Sequence, residues 1–147
     1  MENLFTDMNK PCTLDLKLGS AAYNLKKIER QKWKNSQNTS ATHGFRMCGF
    51  SVFVKNAKEA SFTDKYFCRQ IKEDRIGEEL GKYFSDGTIL RKNVIEEVII
   101  QLKTIVTVLE SSSQGVRLFG ASALVMYCAE SADSGQDVKV KVRLVDF

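Results

Sequence analysis

Strict alternation of apolar and polar residues marks two segments near opposite ends of the chain. In Pro11–Gly19 apolar side chains occupy every second position after the proline, and Thr13, Asp15 and Lys17 lie between them. The same period of two runs through Val138–Phe147. Because successive side chains of a β-strand point to opposite faces, each segment is predicted to form a strand with one buried face.

Two antiparallel hairpins are predicted from the remaining strand signals. Phe45–Val54 is rich in aromatic and β-branched residues, and Ser61–Ile71 is predicted to return beside it after a turn at Asn56–Glu59. Arg117–Cys128 is predicted to pair with the last alternating segment across a polar turn at Glu130–Gln136.

Three segments have the spacing of amphipathic helices: Ala21 to about Asn35, Glu73–Phe84 and Ile89–Glu110. A polar loop is predicted to follow the first of them, as far as His43. The third carries an apolar stripe that we expect to be core. Its members are Ile95, Val98, Ile99, Leu102, Ile105, Val106 and Leu109. The first gathers Lys26, Lys27, Arg30 and Lys34 within one arc. A basic helix face of this kind is most often only solvated.

Length and composition indicate a single domain, and the predicted strands and helices make it an α+β domain with a mainly antiparallel sheet. The chain has 147 residues, of which 43% are hydrophobic, and its one proline is Pro11. No Pro/Gly/Ser-rich linker, low-complexity tract or internal repeat divides it.

Charge and hydropathy exclude several classes of function. The formal net charge is +4, too mild to indicate nucleic-acid binding by itself, and no aromatic platform is interleaved with the basic residues in the sequence. No window has the roughly 18 consecutive apolar residues of a membrane helix, and the start does not resemble a signal peptide. We therefore expect a cytoplasmic or nuclear protein with no membrane partner and with reduced, mostly buried cysteines.

Asp15, Lys17 and Asp146 are the candidates for chemistry. Asp15 and Lys17 share one strand face, and a carboxylate beside an ammonium suits phosphoryl transfer, in which a base orients a hydroxyl and a cation neutralises phosphate. A solvated strand face is the alternative from spacing alone. Asp146 is a single acid at the end of a valine- and lysine-rich run. It is either a metal ligand or the charged end of a strand.

Five segments resemble motifs of the inositol polyphosphate kinase family. Pro11–Gly19 is similar to P-x-x-x-D-x-K-x-G, and Ser40–Gly49 is similar to S-x-x-x-G-F-R-x-C-G. Lys65–Arg69 resembles K-Y-x-G-R, Gly120–Leu124 resembles G-S-S-L-L, and Leu144–Phe147 resembles I-D-F. The motifs occur in the family's order across nearly the whole chain. The short interval between the first two is most similar to inositol hexakisphosphate kinases.

This resemblance implies a role for each matching residue. Asp15 would accept the proton of the attacking hydroxyl, Lys17 would contact substrate and phosphoryl group, and Asp146 would hold Mg²⁺. The basic helix face of Lys26, Lys27, Arg30 and Lys34 would bind substrate phosphates, with Lys65 and Arg69 as weaker candidates. The nucleotide would be bound by four residues: Glu2, Asn3, Ser122 and Leu124.

The resemblance also implies a fold and an activity. Residues 1–10 would be a hinge remnant and residues 11–147 the C-terminal lobe of a two-lobed, distantly protein-kinase-like fold, truncated at both ends. The chain would transfer the γ-phosphate of ATP, with Mg²⁺, to an inositol polyphosphate such as inositol hexakisphosphate. The alternative is a non-catalytic inositol-phosphate-binding fragment or pseudokinase without the N-terminal ATP lobe. The oligomeric state is not predicted.

Overall fold

The first alternating segment forms β1 (Pro11–Leu18), the middle strand of the sheet. The computed structural model describes residues 3–19, 29, 38–112, 118, 120–135 and 137–146. Its other strands are β2 (Phe45–Val52), β3 (Ser61–Thr63), β4 (Ser122–Cys128) and β5 (Val140–Val145). Within these residues the five strands form one antiparallel sheet in the order β3-β2-β1-β4-β5. The predicted α+β class is confirmed.

The helices lie between the strands in sequence: α1 (Ser40–His43), α2 (Lys65–Cys68), α3 (Ile76–Tyr83), α4 (Lys92–Ser111) and α5 (Ala129–Ser134). A 3₁₀ turn precedes α3. Helix α4 begins three residues later than predicted, because Arg91 N donates to Phe84 O at 2.8 Å and this hydrogen bond closes the turn before the helix. The predicted helix at 21–35 lies, apart from Glu29, outside the described residues. No helix in the described part of the chain is long and apolar enough to cross a membrane.

The second strand of the first hairpin is much shorter than predicted. Strand structure ends at Thr63, and Lys65–Cys68 is helical instead of extended. Asp64 causes the change, because its Oδ1 accepts hydrogen bonds from Tyr66 N at 2.8 Å and Phe67 N at 2.9 Å. Such a cap satisfies amide groups that a helix start leaves without intrahelical partners.

Two segments predicted as polar turn or loop contain short helices. The turn expected at Glu130–Gln136 is mostly α5, which ends at Gly135 with a φ of 69°, a left-handed conformation that glycine adopts without strain. The described end of the loop that precedes β2 contains α1, which ends in the same way at Gly44 with a φ of 72°.

The main core lies between one face of the sheet and α3 and α4. Cys12 and Leu14 of β1 are at most 1% exposed and face this core beside Tyr127 and Val125 of β4. Complete burial of a leucine or valine side chain stabilises the folded state by roughly 1.5–3 kcal/mol. The predicted stripe of α4 is only partly core: Val98 is buried, whereas Ile99 and Val106 are 44% and 50% exposed. All four cysteines are free, and Cys12, Cys68 and Cys128 are buried.

Arg91, immediately before α4, joins the helical layer to the sheet. Its guanidinium forms a paired contact with Asp133, with Nε to Oδ1 at 2.7 Å and Nη2 to Oδ2 at 3.0 Å. It also donates to Tyr127 Oη at 2.9 Å and to the carbonyls of Ser85 and Phe53. The side chain is 2% exposed, and these bonds compensate for burying its charge.

Candidate active site

Asp15 and Lys17 lie on the face of β1 opposite to the main core. Cys12 and Leu14 point into the core, so the alternation of the strand places Thr13, Asp15 and Lys17 on the other side. Directly across the β1–β4 ladder, Asp15 is opposite Leu124 and Lys17 is opposite Ser122. Directly opposed residues share a face. The sheet therefore brings four of the predicted site residues together.

A β-bulge in β2 shapes the surroundings of Asp15. Asp15 is paired with Gly49 but Leu16 with Met47, so Cys48 is the extra residue. Gly49 lies so close to β3 that a Cβ atom there would be 3.3 Å from Thr63 O. The bulge would not have been found from strand periodicity, although the glycine after Cys48 is its one sequence signal.

An open cavity of about 460 Å³ lies over Asp15. Its wall includes Cys48, Lys65, Tyr66 and Leu124. Among the described residues, Asp15 Oδ1 has no hydrogen-bond partner although the atom is buried. A buried carboxylate oxygen without a partner is rare in native proteins and indicates that something outside the described chain satisfies it.

The Cys48 thiol borders this cavity but is not suited to act as a nucleophile. Burial, and secondarily the negative charge of Asp15, raise its pKa. A thiol with a raised pKa stays protonated at neutral pH, and the thiolate is the reactive form. Two acidic residues, Asp15 and Asp64, line the cavity.

Lys17 is held toward the start of β4. Its Nζ donates to the carbonyl oxygen of Gly120, two residues before Ser122. Gly120 has a φ of 74°, a conformation that glycine tolerates and that turns the chain into β4. This contact fixes the ammonium near Ser122 rather than leaving it free in solvent.

Ser122 and Asp146 are neighbours through the β4–β5 ladder. Ser122 is opposite Val145, and Asp146 is the next residue of that strand end. Ser122 is 1% exposed, and its Oγ lacks a partner among the described residues. Asp146 is exposed and has a φ of 59°, which Asp tolerates better than most residues. Lys17, Ser122 and Val145 therefore form one row across three strands, with Asp146 at its end.

The segment before β1 covers the neighbouring part of the same face. Met8 and Leu4 pack in a small cluster with Leu124 and Met126 of β4. Lys141 Nζ of β5 donates to Leu4 O at 3.0 Å. The Asn3 side chain is used locally, because its Oδ1 accepts from Phe5 N at 3.0 Å. Leu124 thus connects the Asp15 cavity with the segment that contains Asn3.

Five predicted site residues lie outside the described residues: Glu2, Lys26, Lys27, Arg30 and Lys34. Their roles stay predictions. Within the described ranges, the basic side chain that lines the cavity is that of Lys65. Lys65 is the first residue of the segment that resembles K-Y-x-G-R. Tyr66 lines the same cavity and was not among the predicted residues.

The described residues hold no group of three or more His, Cys, Asp or Glu side chains that could bind a metal without other ligands. A divalent cation at this end of the sheet would therefore need ligands from a bound molecule or water. Mg²⁺ is bound in this way where one or two carboxylates act together with substrate phosphates.

Comparison with known proteins identifies the class of protein to which this chain belongs. The family model described as inositol polyphosphate kinase matches residues 1–147. The chain therefore belongs to the inositol polyphosphate kinase family, as the sequence motifs predicted.

Several curated relatives are inositol hexakisphosphate kinases. Inositol hexakisphosphate kinase 3 of Mus musculus is 31% identical over 162 residues, which cover 100% of this chain and 41% of that protein. Inositol hexakisphosphate kinase 1 of Saccharomyces cerevisiae is 35% identical over 158 residues, covering 100% of this chain and 15% of its own length. The chain thus spans less than half of these relatives.

Two solved structures of inositol phosphate multikinases share the fold. One has a TM-score of 0.84 at 23% identity and covers 99% of this chain and 71% of its own. The other, from S. cerevisiae and in complex with ADP and Mn²⁺, has a TM-score of 0.80 at 22% identity. It covers 99% of this chain and 70% of its own.

Proposed function

We propose that the chain is part of an inositol polyphosphate kinase that transfers the γ-phosphate of ATP to an inositol polyphosphate, with inositol hexakisphosphate as the preferred acceptor. One observation carries the proposal. Asp15, Lys17, Leu124 and Ser122 share one face of adjacent strands, and two buried oxygens there, Asp15 Oδ1 and Ser122 Oγ, have no partner in the described chain. Family membership and the hexakisphosphate kinase relatives support it.

Asp15 is the proposed base for the acceptor hydroxyl. Its carboxylate borders a cavity that is open to solvent on one side and walled by Leu124 on another. The Lys17 ammonium, two residues along the same face, neutralises charge on the phosphoryl group during transfer. Phosphoryl transfer depends mainly on positioning and charge neutralisation, and these two groups supply both.

The acceptor's other phosphates are bound by basic side chains. Lys65 lines the Asp15 cavity. Lys26, Lys27, Arg30 and Lys34 are proposed to bind further phosphates from the predicted helix. Charge-assisted hydrogen bonds of this kind contribute roughly 1.5–3 kcal/mol each when they are well placed.

The residues at the start of β4 and just after the end of β5 fit a magnesium ion. Carboxylate and hydroxyl oxygens are the ligands that Mg²⁺ prefers, and the buried Ser122 Oγ lacks any other partner among the described residues. Asp146 would hold the ion, with Ser122 beside it. When bound, the ion neutralises charge on the β- and γ-phosphates. The ADP and Mn²⁺ bound to the S. cerevisiae multikinase support a nucleotide and a divalent cation as the ligands of such a site.

The nucleotide base is proposed to lie beside Leu124, against the segment that contains Glu2 and Asn3. Leu124 packs with Leu4 of that segment, so an apolar surface and a polar backbone meet there. In this proposal residues 1–10 are the hinge and residues 11–147 belong to the C-terminal lobe.

Incubation with radiolabelled ATP, Mg²⁺ and inositol hexakisphosphate tests the proposal. Asp15→Asn and Asp146→Asn should each reduce label transfer at least 100-fold, since they remove a base or a metal ligand while keeping size. Asp137→Asn is the control, because it removes an exposed carboxylate at the opposite end of β5.

The second candidate, a non-catalytic inositol-phosphate-binding fragment, gives a different result. Calorimetry would then show binding of inositol hexakisphosphate without label transfer. The chain's span of 41% of a curated relative makes this candidate worth testing in the same experiment. Absence of both transfer and binding would contradict both candidates.

A further inference from the structure

Tyr66, in α2, is an aromatic side chain with no place in the core. It is 63% exposed and yet lines the Asp15 cavity. Two cations lie near its ring: Lys65 Nζ is 5.3 Å from the ring centroid, and Arg69 Cζ is 6.0 Å from it. Both distances are within the range of a cation–π interaction. Two positive charges therefore lie beside one exposed ring that lines the cavity.

Neither of these cations has an acidic partner within the described residues. No ion pair there includes Lys65 or Arg69. The nearest acid in sequence, Asp64, uses Oδ1 to cap the start of α2 through Tyr66 N and Phe67 N. Both positive charges are therefore available to an anionic ligand.

Phe67, the next residue of α2, also has a cation near its ring, but that cation is already paired with an acid. Arg75 Cζ lies 6.0 Å from the Phe67 ring centroid, but Arg75 Nη2 is also 2.8 Å from Oε1 of the buried Glu79. Its charge is already compensated. Phe67 therefore offers a matched comparison with Tyr66 inside one short helix.

We propose that Tyr66 is a positioning residue whose ring holds Lys65 and Arg69 at the mouth of the Asp15 cavity, where they bind two phosphate groups of the inositol polyphosphate. This inference rests on the proposed function. Long basic side chains lose conformational freedom when they bind a ligand, and a ring that restricts them beforehand lowers that loss. The ring then raises affinity without touching the reacting atoms.

Titration calorimetry of the full chain with inositol hexakisphosphate tests this role. Tyr66→Leu and Tyr66→Gln should each raise Kd about fivefold, which corresponds to about 1 kcal/mol of side-chain ordering that the ring no longer provides before binding. Tyr66→Phe should keep Kd within about twofold, because it retains the ring. Phe67→Leu should do the same, because Arg75 is compensated by Glu79. Thermal unfolding of each variant checks that the fold is kept.

The results separate the inference from the function on which it rests. If Lys65→Ala weakens binding but Tyr66→Leu and Tyr66→Gln do not, the positioning role is wrong while the acceptor site stands. Equal losses for Tyr66→Leu and Tyr66→Phe would also overturn the role, since the hydroxyl and not the ring would then matter. If the unaltered chain does not bind inositol hexakisphosphate, the proposed function is wrong, and the role of Tyr66 that rests on it is overturned as well.

Discussion

At the scale of single residues, burial decides which charges stabilise the chain. The Arg91–Asp133 and Arg75–Glu79 pairs have closest contacts of 2.7 Å and 2.8 Å. The Arg91 side chain is 2% exposed, whereas that of Arg75 is 49% exposed. Glu79 is buried, but Lys82 also contacts its carboxylate and solvent can replace the half-exposed Arg75 guanidinium, so the two arginines should differ in their effect on stability.

Arg91→Met is expected to lower the free energy of unfolding by roughly 3 kcal/mol. It removes the partner of Asp133 and leaves Tyr127 Oη and two carbonyl groups without their donor. Arg75→Met should lower it by less than about 1 kcal/mol, because Lys82 Nζ still lies 2.8 Å from Glu79 Oε1. Urea unfolding of both variants measures the difference. Equal losses would contradict the argument from burial.

At the scale of elements, the Asp64 cap forms the start of the short helix that lines the cavity. Asp64→Ala removes the acceptor of Tyr66 N and Phe67 N and should lower stability by about 1 kcal/mol. Compared with Asp64→Asn, it should also weaken inositol hexakisphosphate binding, because α2 carries Lys65 and Tyr66 to the cavity. Asp64→Asn is the control, since it keeps a capping oxygen but removes the same negative charge from the cavity lining. Denaturant unfolding and calorimetry on the same samples check both effects. A loss of stability without any change in affinity would separate α2 from the site.

The sequence predicts elements well where one period dominates and poorly where a local cap competes. Alternation locates β1 and β5, because a buried face every second residue permits one pattern only, whereas β4 is mostly apolar and buried on both faces. The aromatic segment at Tyr66 looks equally suited to a strand. What makes it helical is the Asp64 side chain, a contact that propensity does not include.

The site residues likewise depend partly on local sequence patterns and partly on contacts between distant segments. The motifs identify Asp15, Lys17, Ser122 and Asp146 as candidates, but their adjacency depends on the register between strands far apart in sequence. No local pattern encodes that register. The bulge at Cys48 likewise depends on how β2 fits against β1, and the glycine after Cys48 is its one sequence signal.

At the scale of the whole molecule, one surface remains strongly apolar. An open cavity of about 450 Å³ runs between α4 and β5, and its lining includes Ile105, Leu109 and Leu144. Val108 lines it as well and is 62% exposed. Large exposed apolar surfaces favour association between molecules. We therefore expect the chain to associate increasingly as its concentration rises.

Val108→Lys should suppress this association and leave the unfolding temperature nearly unchanged, because the side chain is already mostly exposed. Thr107→Lys adds the same charge to the neighbouring, exposed position of α4. It separates the loss of apolar surface from the gain in net charge. Sedimentation velocity over a range of concentrations measures both variants. A monomeric unaltered chain at every concentration, or equal effects of the two substitutions, would show that the apolar surface does not drive association.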